Sequence, residues 1–194
     1  MKQRKCKCGN TIPVNRYSTI QPKKCPACTY ADLYKKQSQP KKQKTRFKGK
    51  IRSEKSKAME TADKWFSRYI RIRYRFKIAT DGTVLNRCII TGAVKPANEM
   101  DNGHCFSRDF KTTRYEEDNC RPQNRSSNRF SGEADHYKFI ENLTAEIGEE
   151  RFNRIDKLRR ETGTDTTEFY KEQSEKYRKL TNKLIKELGA KKWW

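Results

Sequence analysis

Apolar side chains recur with two different periods in the first half of the chain. Between residues 54 and 70 they return every three or four positions, as on one face of an amphipathic helix. This face consists of Ala58, Ala62, Trp65, Phe66, Tyr69 and Ile70. From Ile70 to Ile78 apolar residues alternate with basic ones, which is the period of a strand. The pattern predicts a helix over residues 54–70 and leaves its end open.

Shorter signals in the middle of the chain predict a turn and two strands. Asp81-Gly82 marks the turn, and residues 84–90 form a β-branched run that favours a strand. We expect residues 100–106 to form the second strand of a hairpin, with His104 near its middle. Residues 119–128 are then expected to lead into a helix.

Helical periodicity dominates the last third of the chain. Two short amphipathic helices are predicted near residues 140–147 and 152–158, before a break at Gly163. Asp165-x-x-Glu168 matches a capping box and opens a long amphipathic helix within residues 164–194. The apolar stripe of this helix either packs on the body of the protein or forms a homodimer. The predicted class is α+β, mainly helical.

The charge of the chain is concentrated at its front. The net charge is +22, and residues 1–80 hold 24 Lys and Arg against four Asp and Glu. Residues 81–194 therefore hold 46 − 24 = 22 basic and 24 − 4 = 20 acidic residues. A basic half-chain attracts a polyanion through counterion release, so we expect DNA to be the partner.

A membrane is not expected to be the partner. No stretch reaches the roughly 18–20 apolar residues of a spanning helix, and the start, MKQRKCKCGN, lacks the apolar run of a secretory signal. We expect the protein to act in the cytoplasm. In a reducing compartment, the seven cysteines are expected to be metal ligands or free thiols.

Four of these cysteines have metal-ligand spacing. Cys6-x-Cys8 and Cys25-x-x-Cys28 place two pairs of thiols in a segment with few apolar residues, as in structural Zn²⁺ sites. We expect residues 1–34 to form a zinc ribbon whose folding depends on the metal. Residues 35–57 are almost without apolar side chains and are predicted to be a basic, flexible linker.

The candidate chemistry lies within residues 101–132. His104 is followed by Asn119 and Asn128, two amide side chains that are nine residues apart. Phosphodiester hydrolysis needs a base that deprotonates water and a positive charge that stabilises the phosphate. A neutral imidazole suits the first task, and a divalent ion held by oxygen ligands suits the second. The stretch therefore suggests a nuclease.

The same residues resemble the HNH, or His-Me finger, nuclease motif. The closer resemblance is to the NinG/Rap family of lambdoid-phage recombination endonucleases, and it covers most of the chain. It is carried by the N-terminal cysteines, the basic linker and the segments WFSRYIRIR, CIITG, DNGH, DNCRPQN and YKFIENLTAEIGEERFNRI.

The resemblance implies a ββα-metal core within residues 58–163 and cleavage of Holliday junctions and D-loops in a phage-infected bacterium. It implies that His104 is the general base and that Asn119 tethers a loop. It further implies that Asp101 and Asn128 hold a catalytic Mg²⁺ or Mn²⁺. The products would carry a 5′ phosphate and a 3′ hydroxyl.

Two departures from the family pattern stand out. Gly103 precedes the histidine where many HNH enzymes have an acid, so Asp101 must reach the metal from further away. Relatives often carry a second cysteine set, and Cys88 is its only remaining member, so a second structural zinc is not expected.

Alternative functions remain open at this stage. They are a less selective HNH nickase, a homing-type endonuclease, and a non-catalytic zinc-containing DNA-binding accessory of recombination. For all of them, the arginines expected to contact DNA are Arg71, Arg73, Arg75, Arg125 and Arg129.

Overall fold

The computed structural model describes residues 4–13, 22–38, 52–129 and 132–194. The chain divides into two compact units, Met1–Lys50 and Ile51–Trp194, and each is treated by itself. Most of the predicted linker lies outside the described residues. Its described ends are helical, because helix α1 spans Pro26–Ser38 and helix α2 begins at Glu54. The predicted bounds 35–57 are therefore too wide.

The described residues of the first unit form a turn and a helix. Gly9 adopts φ +89, which favours glycine, and lets the chain turn between Lys5 and Thr11, which form an antiparallel bridge. Pro26 opens α1 at a position where its missing N–H costs no hydrogen bond. Within the described residues of this unit the β-structure is limited to that bridge, so the predicted ribbon is better described as a knuckle followed by a helix.

Helix α2, Glu54–Arg73, is longer than its sequence pattern predicts. Ser53 caps it by accepting a hydrogen bond from Ser56 N at 3.2 Å. The helix continues past residue 70 because Ile72 is buried against Val84 and Ala97. The free energy gained by burying Ile72 outweighs the preference for a strand that the alternation of apolar and basic residues indicated.

Helix α6, Thr167–Glu187, packs along α2. The rings of Phe66 and Tyr177 lie 4.7 Å apart, and Tyr177 Oη donates to Tyr115 O at 2.9 Å. The apolar stripe of α6 therefore packs on the body of the protein, which was one of the two alternatives. Residues 164–194 belong to the same unit as α2. Its N-cap is Thr166 rather than the predicted Asp165, which instead accepts from Tyr170 Oη at 2.6 Å.

Two small antiparallel sheets lie between these helices in the sequence. The first has the order β1-β2-β3, and the Asp81-Gly82 turn joins its first two strands as predicted. Its strands are Lys77–Ile78, Val84–Arg87 and Val94–Pro96. No helix of the described residues combines the length and apolar character needed to cross a membrane.

The second sheet pairs β4, Met100–His104, with β5, Cys120–Asn124. Helix α3, Arg125–Arg129, follows β5 directly, so this part of the chain has the order strand, strand, helix. Residues 119–128 were expected to lead into a helix, but they first complete a strand. The expected partner of β4, the run at 84–90, pairs with β3 instead.

Two further helices cover this sheet. Helix α4 spans Glu133–Ile147 and α5 spans Glu149–Leu158, separated at Gly148, whose φ of +85 favours glycine. The core cluster beneath them contains fully buried Met100, Leu143 and Ile155. His104 therefore ends a strand whose opposite end is anchored in the core.

Candidate metal centre and candidate active site

The four N-terminal cysteines converge. The sulfur atoms of Cys6, Cys8, Cys25 and Cys28 all lie within 4.8 Å of one another, and the Sγ atoms of Cys8 and Cys25 are 3.4 Å apart. Among the described residues, they are the only group of three or more His, Cys, Asp or Glu side chains with this proximity. Four thiolates at such distances match the tetrahedral ligand set of zinc.

The environment of these thiols favours a cation. The backbone N–H of Cys8 stabilises the thiolate of Cys6 and lowers its pKa to about 6. At the other extreme, hydrogen bonds with Cys8 and the other thiols raise the pKa of Cys28 to about 12. Four neighbouring thiolates repel one another, so full deprotonation requires a bound positive charge. The predicted ligand set can thus hold a metal such as zinc.

His104 lines a cavity of about 580 Å³ at the end of β4. Its Nε2 lies 3.1 Å from the carbonyl oxygen of Arg114. A carbonyl oxygen only accepts, so Nε2 carries the proton and the lone pair of the neutral ring is on Nδ1. Burial of the ring lowers the pKa of His104 to about 4, so the imidazole is neutral at pH 7.

Asn119 holds the loop that supplies this carbonyl. Its side chain is fully buried, and its Oδ1 accepts from Phe106 N at 2.8 Å. Its Nδ2 donates to Phe106 O and Thr113 O, both at 3.0 Å. Asn119 is not among the residues that line the cavity of His104, and its three hydrogen bonds hold the loop. Its assignment as the loop tether agrees with this geometry.

Asp101 and Asn128 also line the cavity and contact each other. Asn128 Nδ2 donates to Asp101 Oδ2 at 3.2 Å. Two arginines of α3 approach the same carboxylate, with Nε of Arg125 at 3.5 Å and Nε of Arg129 at 4.0 Å. The structure therefore brings the two predicted oxygen ligands together, beside cationic side chains.

The geometry of β4 explains the glycine before His104. A Cβ atom on Gly103 would lie 2.2 Å from Oε1 and 2.9 Å from Cβ of Gln123, and 3.0 Å from Phe139. Gln123 on β5 and Phe139 on α4 thus fill the space that a side chain would need. An acid at this position would not fit, and Asp101 is the nearest preceding acid on the strand.

No family model matches this chain, and the searches of curated proteins and of solved structures found no significant match. The resemblance to the NinG/Rap family therefore rests on the segments quoted above.

Two further residues of the cavity, Asn102 and Asp63, were not among the predicted site residues. Asn102 lines the cavity, and its Oδ1 is buried without a hydrogen-bond partner among the described residues. Asp63 approaches from α2 and accepts from Arg114 Nε at 2.9 Å and from Tyr115 Oη at 3.0 Å. Asp63 thereby fixes Arg114, whose carbonyl oxygen orients His104.

The five predicted DNA-contacting arginines do not form one surface. Arg71 is a structural residue, because it donates to Ala97 O at 2.7 Å and to Met100 O at 3.1 Å, and its burial lowers its pKa to about 10. Arg73 and Arg75 line a different cavity from His104. Arg125 and Arg129 lie at Asp101. Of the five, Arg129 lines the cavity of His104, and Arg71 and Arg125 line a groove that adjoins it.

Cys88 occupies a site where hydrogen bonds surround one sulfur. Its Sγ accepts from Asn124 N at 3.3 Å and from Thr91 N at 3.5 Å, and Ser127 Oγ lies 3.8 Å away. Burial favours the neutral thiol, but the hydrogen bonds from Thr91 and Asn124 prevail and lower the pKa of Cys88. Two segments of the chain, around Thr91 and around Asn124, thus meet at one thiol.

Proposed function

We propose that the protein is a metal-dependent DNA endonuclease that cleaves branched recombination intermediates such as Holliday junctions and D-loops. The observation that carries the proposal is the state of His104, a neutral imidazole with Nε2 bound to Arg114 O and with Nδ1 as its proton acceptor. It shares a polar cavity with Asp101 and Asn128. A base beside a set of oxygen ligands suits phosphodiester hydrolysis.

In the proposed reaction, Nδ1 of His104 accepts a proton from water. The water oxygen forms a bond to phosphorus opposite the leaving group, and the P–O3′ bond breaks with its electron pair on the 3′ oxygen. That oxygen takes up a proton from solvent. The products carry a 5′ phosphate and a 3′ hydroxyl. Asn119 contributes by keeping the loop, and with it Arg114 O, against Nε2.

The residues of the cavity fit a hard divalent cation. Asp101 supplies carboxylate oxygens, Asn128 supplies an amide, and Asn102 has a buried Oδ1 without a partner among the described residues. A half-turn of the Asn128 amide exchanges its Nδ2 for its oxygen toward Asp101, which gives the all-oxygen set that Mg²⁺ and Mn²⁺ prefer. The cation would stabilise the negative charge that develops on the phosphate and the departing oxygen.

The remaining elements of the proposal concern the substrate. The cysteine unit and the basic segment after it carry most of the excess positive charge, which supports nonspecific binding to the DNA backbone. The preference for branched DNA rests on the resemblance to the NinG/Rap family. A less selective nickase is separated from a junction enzyme by offering both substrates at equal concentration.

The test compares the two histidines of the chain on a labelled four-way junction. His104→Ala removes the proposed base and is expected to slow cleavage in Mg²⁺ by about 100-fold or more. His136→Ala is the matched control, because His136 is exposed on α4, and it should cleave like the wild type. EDTA should abolish cleavage by all three proteins. Cleavage by His104→Ala at the wild-type rate would contradict the proposal.

One observation favours a second candidate, a DNA-binding accessory without catalytic activity. Asp101 already contacts Asn128, Arg125 and Arg129, so its charge is compensated without a metal. The same assay separates the two functions. An accessory retards the junction in a gel but leaves it intact in both Mg²⁺ and Mn²⁺.

A further inference from the structure

A second groove, of about 510 Å³, adjoins the candidate active site. Three residues line both spaces, namely Asp63, Ser67 and Arg108. The groove is otherwise lined by side chains of α2, by Arg125 and by Trp193 and Trp194, which follow α6. A strand bound at His104 could therefore pass directly into it.

Arg68 lies at the centre of an aromatic arrangement on the wall of this groove. Its guanidinium carbon is 4.5 Å from the ring centre of Trp65 and 4.6 Å from that of Trp194. No carboxylate of the described part of the chain lies within 4.0 Å of Arg68. Arginine stays protonated in proteins, and its planar group presents several N–H donors at its edge. Arg68 is thus a preoriented cation without an anionic partner.

The carboxylates of the groove are already paired. Glu60 binds Lys64 at 2.9 Å and Arg52 at 2.5 Å, and Asp63 binds Arg114 at 2.5 Å. Arg71 has only neutral carbonyl oxygens as hydrogen-bond acceptors. Arg68 therefore lacks an anionic partner among the described residues, and Arg71 is attracted only at longer range, by Asp101, so the groove favours an anionic occupant.

The two adjacent tryptophans, Trp193 and Trp194, differ in packing and exposure. Trp193 packs against the apolar cluster of Ile72, Val84 and Ile185 and meets Trp194 edge to face, with ring centres 4.8 Å apart. Trp194 is 41% exposed. Trp193 thus anchors the segment, and the indole of Trp194 remains accessible to a planar ligand.

We propose that this groove binds an unpaired stretch of the DNA strand that leads away from the His104 cavity, with a phosphate on Arg68 and a base stacked on Trp194. The proposal rests on the proposed nuclease function, because that function supplies the strand. An indole stacks on a base only if the face of that base is free, and in a duplex neighbouring bases cover both faces. The ligand is therefore single-stranded DNA, such as the displaced strand of a D-loop, and not paired DNA.

Intrinsic fluorescence reports on this groove, because Trp193 and Trp194 line it and the third tryptophan, Trp65, contacts Arg68 and Trp194 beside it. The experiment titrates the full, metal-loaded chain, without added Mg²⁺ or Mn²⁺ and without chelator, with labelled oligothymidine and with the same strand annealed to oligoadenine. Oligothymidine is expected to quench the tryptophan fluorescence more strongly than the duplex does.

Fluorescence anisotropy of the labelled DNA measures the affinity of variants. Trp194→Ala and Arg68→Ala should each weaken single-strand binding by roughly 10-fold and duplex binding by less than about twofold. Trp194→Phe keeps an aromatic face and should retain most of the affinity.

Two matched controls lie elsewhere on the unit. Tyr137→Ala removes an aromatic side chain that is 69% exposed on α4. Arg87→Ala removes a guanidinium that lies 4.2 Å over the ring of Phe76. Both should leave single-strand affinity within about twofold of the wild type. Circular dichroism checks that each variant is folded.

The proposal is overturned if Trp194→Ala and Arg68→Ala bind oligothymidine as tightly as the two controls, or if they lose single-strand and duplex affinity equally. Its failure is separable from that of the nuclease function, because binding is measured without the Mg²⁺ or Mn²⁺ that cleavage would need. Loss of cleavage in His104→Ala with no single-strand defect in Trp194→Ala would refute the groove alone. A single-strand defect in a wild type that never cleaves junctions would refute the nuclease alone.

Discussion

Cysteine sulfur connects separate segments of the chain in both units of this protein, but with different contacts. The first unit uses four convergent thiols, and the second uses one hydrogen-bonded thiol. In the first unit, Cys6, Cys8, Cys25 and Cys28 converge, and among the described residues Ile12 is the only buried aliphatic side chain in their cluster. At Cys88, one sulfur receives backbone N–H groups of Thr91 and Asn124.

The difference lies in what surrounds the sulfur. Cys88 belongs to a core that includes Met100, Leu143 and Ile155, so apolar burial already holds its loops. The first unit has no comparable core among its described residues, and its four thiols could hold a metal such as zinc, which would stabilise it instead. Sulfur ligands are thus needed where apolar burial is lacking, and a single hydrogen-bonded thiol suffices where it is present.

Removal of metal is expected to have the largest effect, and to affect only the first unit. Removal of metal by a chelator is expected to unfold the first unit, because its thiolates then repel one another and the apolar core is too small to replace the metal. Hydrogen exchange followed by mass spectrometry should show loss of protection in residues 22–38 and unchanged protection in residues 52–194. Cys25→Ala should have the same effect and lose bound zinc, whereas Cys88→Ala should keep its zinc. Unchanged exchange in residues 22–38 would contradict the comparison.

A cavity in the apolar core should affect only the second unit. Leu143 is fully buried, so Leu143→Ala is expected to lower the free energy of unfolding of residues 52–194 by about 2–5 kcal/mol. Urea denaturation monitored by tryptophan fluorescence measures this unit alone, because all three tryptophans lie in it. The zinc content should stay the same. A variant that loses zinc together with stability would show that the two units fold as one.

Lowering the pH should destabilise the second unit, because His104 becomes protonated. Its pKa is lowered from 6.5 to about 4 in the folded protein, so the unfolded chain binds the proton more tightly. The stability of the unit should therefore be constant above about pH 6.5 and fall between pH 6.5 and pH 4. Between pH 7 and pH 4.5, the loss attributable to His104 is roughly 2 kcal/mol. Urea denaturation at pH 7 and pH 4.5 measures this loss of unfolding free energy. Between the two pH values, His104→Gln should lose roughly 2 kcal/mol less than the wild type. An equal loss in both proteins would refute a lowered pKa of His104.

Loss of the single thiol should have the smallest effect. Cys88→Ala leaves the N–H groups of Thr91 and Asn124 without their acceptor, at a cost of about 1–3 kcal/mol. Cys88→Ser keeps a smaller acceptor and should cost less. Urea denaturation gives both values. If Cys88→Ala destabilises the second unit as much as Leu143→Ala, the thiol contributes more than hydrogen bonds and the contrast with the first unit is weaker than stated.

The sequence alone was sufficient for features that depend on neighbouring residues. The spacing of the four cysteines, the Asp81-Gly82 turn and the apolar periods of α2 and α6 are local patterns, and the structure contains each of them. A helix face or a metal knuckle is defined within a few residues, so its signal is present in the chain itself. The candidacy of His104 also came from sequence, through the spacing of its two asparagines and the family resemblance.

Tertiary structure decided what depends on residues far apart in the chain. It extended α2 to Arg73 because Ile72 is buried, paired β4 with β5, and made Arg71 a structural donor to carbonyl oxygens. It also explained Gly103, whose missing side chain leaves room for Gln123 and Phe139.

The state of the proposed base belongs to the same category. Its tautomer depends on a carbonyl oxygen ten residues away, at Arg114, which is held in turn by Asp63 on α2. In physical terms, local sequence sets periodicity, turns and ligand spacing through short-range backbone preferences. Strand pairing, burial and the pKa of a buried group depend on long-range packing, which a one-dimensional pattern does not contain.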